Sequence, residues 1–393
     1  MEFKEFIIRI YEDQSDRSQV EDLERRCKVG PSETMLDSMG DPISRIRNSP
    51  MYMMLVAEME NELVGFIQGS IKVVTLKCHP PKGVAKVGYV LGLRVAPQTR
   101  RKGIGSSLIQ RLEEWFHSND VDYAYMATEK ENHASISLFI NKFGYTKFRT
   151  PAILVNPVNN HHSFRISSNI DIAKIKIDKA EFLYRRFMGT TEFFPSDIEN
   201  VLRNKLSLGT WVASFKGENV SFGINGPVNG PINGQVPQNW AMLSVWKSGD
   251  IFKLSIGRAP NSCLFFTKSW SLVDKIFPCF GLSTIPDFFN PFGFYFIYGV
   301  YHEGQFSGKL VRALCQFVHN MVSKSRDENC NKIIVAEVGG KDEELNHHIP
   351  HWKLFSCPDL WCIKALKDEG KNTFHELVTN TQPRSIFVDP REV

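Results

Sequence analysis

The stretch Gln98-Thr99-Arg100-Arg101-Lys102-Gly103-Ile104-Gly105 gathers what an anionic ligand needs. Gly103 and Gly105 lack a Cβ, so a bound group can come close to the backbone there. Ser106 and Ser107 open the next segment, where Ile104, Leu108, Ile109, Leu112, Trp115 and Phe116 recur on one helical face. The first amides of such a helix have no internal partner and together carry roughly half a positive charge. Arg100, Arg101 and Lys102 add full cations. The sum is an anion site suited to a pyrophosphate. The turn lacks the Gly-Lys-Ser/Thr ending of a nucleotide-hydrolase loop. It also lacks the three glycines of a dinucleotide fingerprint and is not at the start of a βαβ unit.

A strand must lead into this turn and a helix must leave it. Lys86–Val95 supplies the strand and ends at Ala96-Pro97. Upstream, Phe6–Tyr11 reads as a strand, Asp13–Arg26 as a helix and Gly30–Asn48 as a loop or insertion. Met51–Glu58 and Leu63–Val74 form a hairpin about Glu60-Asn61-Glu62, and Cys78–Gly83, with two prolines, breaks the pattern. Downstream come a strand at Asp122–Thr128, a helix at Asn132–Phe143 stopped by Gly144, and a last strand from Tyr145.

The second half repeats this order loosely. Ile170–Ile177 alternates as a strand, and Lys179–Met188 and Pro195–Leu206 read as helices. Trp211–Phe215 and Val220–Ile224 read as a hairpin, followed by a Pro-, Gly- and Asn-rich loop at Gly226–Gln238. Phe294–Tyr301 is a strand, and the helix after it carries Leu310, Leu314, Phe317, Val318 and Met321 on one face. Ile333–Val338 is a further strand, on which Glu337 reads as a core or cleft carboxylate. Gln305-Phe306-Ser307-Gly308 stands where the first half has its basic turn. It keeps one glycine, puts Leu310 at the other and lacks the cations.

A chain of 393 residues exceeds what one core usually fills, so two domains are expected. Hydrophobic and charged fractions of 42% and 23% exclude wholesale disorder. A net charge of +4 gives no argument for direct nucleic-acid binding. Met1–Phe6 does not read as a signal peptide, and no apolar run reaches the ~18 residues of a membrane span. The 8 cysteines form no Cys-x-x-Cys pair and are expected to be free thiols in a reducing compartment. His347, His348 and His351 lie close together, but Pro350 disturbs a shared helix and no further ligand accompanies them, so no metal site is expected. His161-His162 reads as an exposed linker pair, and Arg185-Arg186 with Lys174 and Lys176 as a solvated face. Phe193-Phe194 and Phe288-Phe289 read as core.

Arg100-x-x-Gly103-x-Gly105 resembles the Arg/Gln-x-x-Gly-x-Gly/Ala motif of the GNAT superfamily of N-acetyltransferases. Leu91–Pro97 before it fits that family's strand. Asn132 with Ser135–Phe139 resembles its Asn-x-x-Ala-x-x-x-Tyr helix, and Phe143-Gly144-Tyr145 its closing Gly-Phe. The resemblance covers about residues 5 to 150. The whole chain is similar to the plant HOOKLESS-type N-acetyltransferases. It implies an α/β fold: a GNAT-like mixed twisted sheet flanked by helices, in tandem with a second, degenerate GNAT-like domain. The domains are then 1–155, which binds acetyl-CoA, and 165–370, with a loop insertion near 226–239. A polar tail at 371–393 is expected to be loosely attached.

The resemblance also implies roles. Leu93 and Val95 offer backbone groups to the pantetheine arm and thioester. Arg100, Arg101, Lys102, Gly103, Ile104, Gly105 and Ser106 hold the pyrophosphate, and Asn132 contacts the cofactor near the thioester. It implies a protein or peptide acceptor, with a histone lysine favoured, and a nuclear regulator of plant growth in ethylene and auxin responses; the cytoplasm is the alternative location. Two positions depart from the family pattern. Its Glu on the strand before the loop is Tyr89 here, and a tyrosine with a pKa of ~10 is a poor base at neutral pH. Its Tyr in the last helix is Phe139, which has no proton to give. The candidate catalytic residues are therefore Glu129 and Glu131, acting as bases through a water, and Tyr89 as the acid. A regulatory protein that binds acetyl-CoA without turning it over is the rival. A small-molecule acetyltransferase ranks lower, because the first domain holds no acidic cluster in the sequence.

Overall fold

The basic turn is mounted on a sheet that runs the length of the molecule. The computed structural model describes residues 5–27, 35–76, 83–158, 163–218, 237–258, 292–325, 332–339, 343–353, 356–367, 371–379 and 385–393. In chain order the strands are β1 (Ile7–Ile10), β2 (Met35–Gly40), β3 (Met51–Met59), β4 (Glu62–Thr75), β5 (Val84–Val95), β6 (Tyr123–Glu129), β7 (Thr146–Arg149), β8 (Ala152–Pro157) and β9 (Ile170–Ile175). They continue as β10 (Ser207–Phe215), β11 (Trp240–Lys247), β12 (Phe252–Arg258), β13 (Gly293–Glu303), β14 (Lys332–Val338) and β15 (Cys357–Ala365). The helices are α1 (Asp13–Arg26), α2 (Ile104–Ser118), α3 (His133–Ile136), α4 (Ile177–Leu183), α5 (Ile198–Arg203), α6 (Ser307–Ser323), α7 (Glu343–His348) and α8 (Lys371–Thr379). π-Helical turns extend α3 through Ser137–Lys142 and α4 through Tyr184–Met188.

The main sheet has the order β1-β3-β4-β5-β6-β15-β8-β14-β13-β11-β10-β9, with β7 also pairing β15. It is mixed: β5 pairs β6 in parallel and β13 pairs β14 in parallel, while its other pairings are antiparallel. The halves exchange strands. β8, which follows the first half, pairs β14 of the second. β15, from far down the chain, pairs β6 and β7 of the first. One short contact, Cys357 and Pro358 against Ile153 and Ala152, joins the two sheets into one.

Each half follows the same plan around its parallel pair. α2 buries Leu108, Ile109, Leu112 and Phe116 against β4 and β5. α6 buries Leu310, Val311, Leu314 and Val318 against β10, β11 and β13. Phe193 and Phe194 are core, as expected. The long strands β4 and β11 are buried on both faces over most of their length, with a helix against one of them.

The structure corrects three readings. Part of Gly30–Asn48 is a strand: β2 pairs β12, residues more than 200 positions away in sequence, so no local pattern announces it. β10 pairs β11 on one side and β9 on the other, and Val220–Ile224 lies outside the described residues. The third concerns residues 371–393. Lys371–Thr379 is a helix, and Ile386, Phe387, Val388, Asp389, Arg391 and Glu392 are buried. Their charges are internally paired, so a polar sequence does not imply an exposed segment. Asp389 binds Arg391 at 2.7 Å and Lys72 at 3.4 Å, Glu392 binds Lys72 at 2.7 Å, and Arg391 binds Asp197 at 2.7 Å. The expected breaks and loops at Cys78–Gly83 and Gly226–Gln238 fall largely outside the described residues, and so do His161-His162 and Phe288-Phe289.

Candidate functional site

β5 and β6 run parallel from Val87–Val90 against Tyr123–Met126, and then they part. Beyond that point β5 keeps its pairing with β4 and β6 keeps its pairing with β15. The cause is local. A bulge shifts the β4–β5 register at Gly92, whose φ of +64° suits a residue without a Cβ. The result is a wedge between Leu91–Val95 and Ala127–Glu129, lined by strand edges that no strand among the described residues covers.

The basic turn closes one end of the wedge. A short 3-10 turn at Pro97–Thr99 redirects the chain, and α2 begins at Ile104. Gly103 has φ +90°, and a Cβ there would meet nothing within 4 Å. The glycine is thus required by backbone conformation, and the space beside it is open. Arg101 also takes a left-handed φ of +63°, a strained choice for a side-chain-bearing residue and one that recurs at functional turns. Arg100, Arg101 and Lys102 are exposed around the turn, and Arg100 Nε donates to Val95 O at 3.3 Å. Ile104 is buried and anchors the helix start. Ser106 Oγ accepts from Lys142 Nζ at 2.7 Å, bringing a fourth cation to the rim. A Cβ at Gly105 would lie 3.5 Å from Val95 and 4.0 Å from Leu138, so α3's extension forms the opposite wall. Asn132 caps α3, its Oδ1 accepting from Ser135 N at 3.2 Å, and it is exposed. Phe139 is buried edge-on to Tyr145, with centroids 5.1 Å apart.

The floor of the wedge is aromatic. Tyr89 stacks on Tyr125 with centroids 4.7 Å apart. Tyr125 meets Phe193 at 4.9 Å and Trp361 at 5.6 Å. Tyr125 OH donates to Glu392 Oε1 at 2.6 Å, which ties the floor to the buried ion network. The Tyr89 side chain is 8% exposed, and among the described residues its hydroxyl has no hydrogen-bond partner. Burial holds its proton far above the usual tyrosine range. That makes Tyr89 unsuitable as a base and keeps it a donor at any working pH.

Carboxylates line the side away from the basic turn. Glu129 is half-buried, and burial together with Glu131 raises its pKa. Glu131 is exposed in the turn that follows. The structure adds two acids from the second half. Asp359 on β15 is paired directly with Glu129 in the strand register. Burial, with Glu129, pushes Asp359 up to about 6. Glu337 on β14 accepts from Trp361 Nε1 at 3.2 Å, and burial with Asp359 nearby pushes it up to about 8. Asp359 escapes a sequence reading because its partner strand is set by tertiary structure. The available signal is the alternation Cys357, Asp359, Trp361, Ile363, which puts an acid on a strand's apolar face.

Residues 17–145, which hold the wedge and its turn, match the acetyltransferase (GNAT) family. Over 98% of its length the chain is 45% identical to the probable N-acetyltransferase HLS1 of Arabidopsis thaliana, covering 99% of that protein. It is 43% identical to the HLS1-like probable N-acetyltransferase of the same plant, with 98% of each covered. The chain belongs to the GNAT acetyltransferase family. The fold likeness extends past the first half: N-myristoyltransferase of Saccharomyces cerevisiae with bound myristoyl-CoA superposes on 92% of this chain and 79% of its own, with a TM-score of 0.54 and 10% identity. Acetyl-CoA is the acyl donor of this GNAT protein. The residues fit it, since the left-handed Gly103 leaves open space beside unpaired helix amides and surrounding cations. Among the described residues, no group of three or more His, Cys, Asp or Glu side chains is placed to hold a metal ion. No helix of the described residues is long and apolar enough to cross a membrane.

Proposed function

We propose that this chain transfers the acetyl group of acetyl-CoA to a primary amine on a protein, with a histone lysine as the favoured acceptor and the nucleus as its place of work in regulating plant growth. The observation that carries the reading is the parted strand pair: β5 and β6 separate directly between an open anion turn and an unpartnered Tyr89 hydroxyl. Acetyl-CoA supplies a carbonyl activated as a thioester. The amides of Gly103, Ile104, Gly105 and Ser106, with Arg100, Arg101 and Lys102, hold its pyrophosphate. Backbone groups of Leu93 and Val95 steady the pantetheine arm, and Asn132 stands at the far lip. Tyr89, which keeps its proton at neutral pH, gives the departing sulfur a proton and recovers one from the attacking nitrogen. The amine attacks directly. Cys27 is buried and donates to Val95 O at 3.4 Å, with a thiol pKa raised by burial, so it is a poor nucleophile.

Calorimetric titration with acetyl-CoA, followed by free-thiol release with a histone tail peptide, tests the reading. Wild type is expected to bind, and Gly103→Trp to lose at least tenfold in affinity by filling the open space beside the turn. Peptide-dependent thiol release supports transfer. Binding with no release from any peptide favours the second reading, a non-catalytic acetyl-CoA-dependent regulator. That reading draws on one feature: neither Tyr89 nor Phe139 is the usual catalytic residue of the family.

A further inference from the structure

Glu129 and Asp359 face each other in register across β6 and β15, and alternation puts both on the face that carries Tyr125 and Trp361. Glu337 reaches the same face through Trp361 Nε1. Among the described residues no cation pairs with any of the three. Like charges directly opposed on a sheet destabilise it. The fold neutralises its other buried acids well: Glu192 binds Arg149 at 2.8 Å and Asp389 sits between Lys72 and Arg391. The bare pair at the wedge therefore contrasts with the design around it. A second and independent feature points the same way. The Tyr89 side chain, 8% exposed and on the strand that parts from β6 at this place, has a hydroxyl without a hydrogen-bond partner among the described residues.

We propose that Asp359 and Glu129 form the acceptor subsite, that it takes a primary ammonium group, and that Asp359 accepts that group's proton. The proposal rests on the acetyl-transfer reading above and names the base which that reading leaves open. It also makes the site a joint product of the two halves, since Asp359 arrives on the exchanged strand. The step balances. The ammonium gives one proton to the Asp359 carboxylate, and its freed lone pair bonds to the thioester carbonyl carbon. The carbon–sulfur bond breaks with its electron pair passing to sulfur. Tyr89 protonates the sulfur and is restored by a second proton from the nitrogen, leaving an amide, a free thiol and a protonated Asp359.

Geometry fixes Asp359 for this task. Its backbone N donates to Pro151 O at 2.9 Å, and its Oδ1 accepts from Leu360 N at 3.0 Å. The groups facing it are Glu129 from the β6 end, Glu337 from β14, Cys357, Trp361 and Cys362 on its own strand, and Tyr89 from β5. With its pKa at about 6, Asp359 is largely ionised at neutral pH and still basic enough to take a proton.

Peptide lysines and polyamines share this ammonium chemistry, so the test has two arms. The full-length chain, with and without acetyl-CoA, is titrated calorimetrically with pentalysine and separately with spermine. Wild type, Asp359→Asn, Glu129→Gln and the surface control Glu114→Gln are compared; Glu114 pairs with Arg111 on the exposed side of α2. Wild type and the control are expected to bind at least one probe, and Asp359→Asn to bind it at least tenfold more weakly. Wild-type affinity falls between pH 7 and pH 5, and the Asp359→Asn variant loses most of that dependence. Asp359→Asn also raises the thermal midpoint, because repulsion is removed while the bond from Leu360 N is kept. A residue with a merely structural role would not couple higher stability to lost binding. Preference for pentalysine assigns a protein lysine, and preference for spermine a small polyamine. Absence of binding of either probe to wild type, or equal binding by Asp359→Asn, overturns the proposal. Binding of a probe without any binding of acetyl-CoA instead overturns the transfer reading and leaves the ammonium subsite standing.

Discussion

The molecule builds the same wedge twice and leaves only one open. β13 and β14 pair in parallel from Gly293–Ile297 against Lys332–Ala336 and then part, as β5 and β6 do. Gly299 takes φ +60° at a bulge, matching +64° at Gly92, and an amphipathic helix follows each. The fillings differ. In the second half Tyr184 lies against Gly299 and donates to its carbonyl at 3.2 Å. The His348 ring occupies the space in which a Cβ on Gly308 would sit. Ile386 and Val388, near the end of the chain, line the small cavity that is left beside Glu337. The parted pair is thus a structural solution in its own right, and ligand binding depends on what the rest of the chain lays into it.

Three substitutions test that contrast, from the largest effect to the smallest. Asp389→Ala removes the anion between Lys72 and Arg391, leaving, among the described residues, Lys72 with Glu392 alone and Arg391 with Asp197 alone. It is expected to cost about 3–5 kcal/mol of stability, read from the midpoint of urea unfolding. A loss under about 1 kcal/mol would mean the segment merely rests in the second wedge. Glu337→Gln addresses the wall shared by both wedges. The Glu337 pKa is raised from 4.5 to about 8, so its stabilising contribution is complete below about pH 4.5 and is lost as pH rises through about 8. Stability of the wild type should therefore fall across that window more steeply than that of the variant. At pH 9 the variant should be the more stable by about 2–4 kcal/mol. Identical pH profiles would remove Glu337 from the buried wall. Gly308→Ala is expected to displace the His348 ring, lower the thermal midpoint by a few degrees or less, and leave acetyl-CoA affinity unchanged. A change in that affinity would make the second wedge a ligand site as well.

The turn at Arg100–Gly105 is legible in sequence because everything it needs is local: glycines, cations and a helix behind them. The hairpin β3–β4 and the strands β5, β6, β13 and β14 are legible for the same reason, their apolar runs and bounding turns being a property of neighbours in sequence. What escapes is set by remote partners. β15 carries Pro358, Asp359 and Lys364, and it becomes a strand between β6 and β8 because both offer open edges. Residues 386–392 look like a polar end, and they are buried because Lys72 and Asp197 stand ready to neutralise them. Tyr89 is visible in sequence as an unexpected residue type, yet its lack of a partner emerges only from the packing. The first half alone showed no acidic cluster, since its walls at Asp359 and Glu337 are lent by the second.

The exchange of β8 and β15 also governs how the protein comes to be. β6 lies beside β15 with Tyr125 opposite Ile363, a pairing that closes a loop of more than 200 residues. Such closures are entropically unfavourable and slow. During synthesis the first sheet must wait with the β6 edge unsatisfied until residue 365 has left the ribosome. For that interval two apolar edges, β6 and β8, are open to each other and to other chains. The acceptor wall forms late, so a nascent chain holds its anion turn well before it holds Asp359.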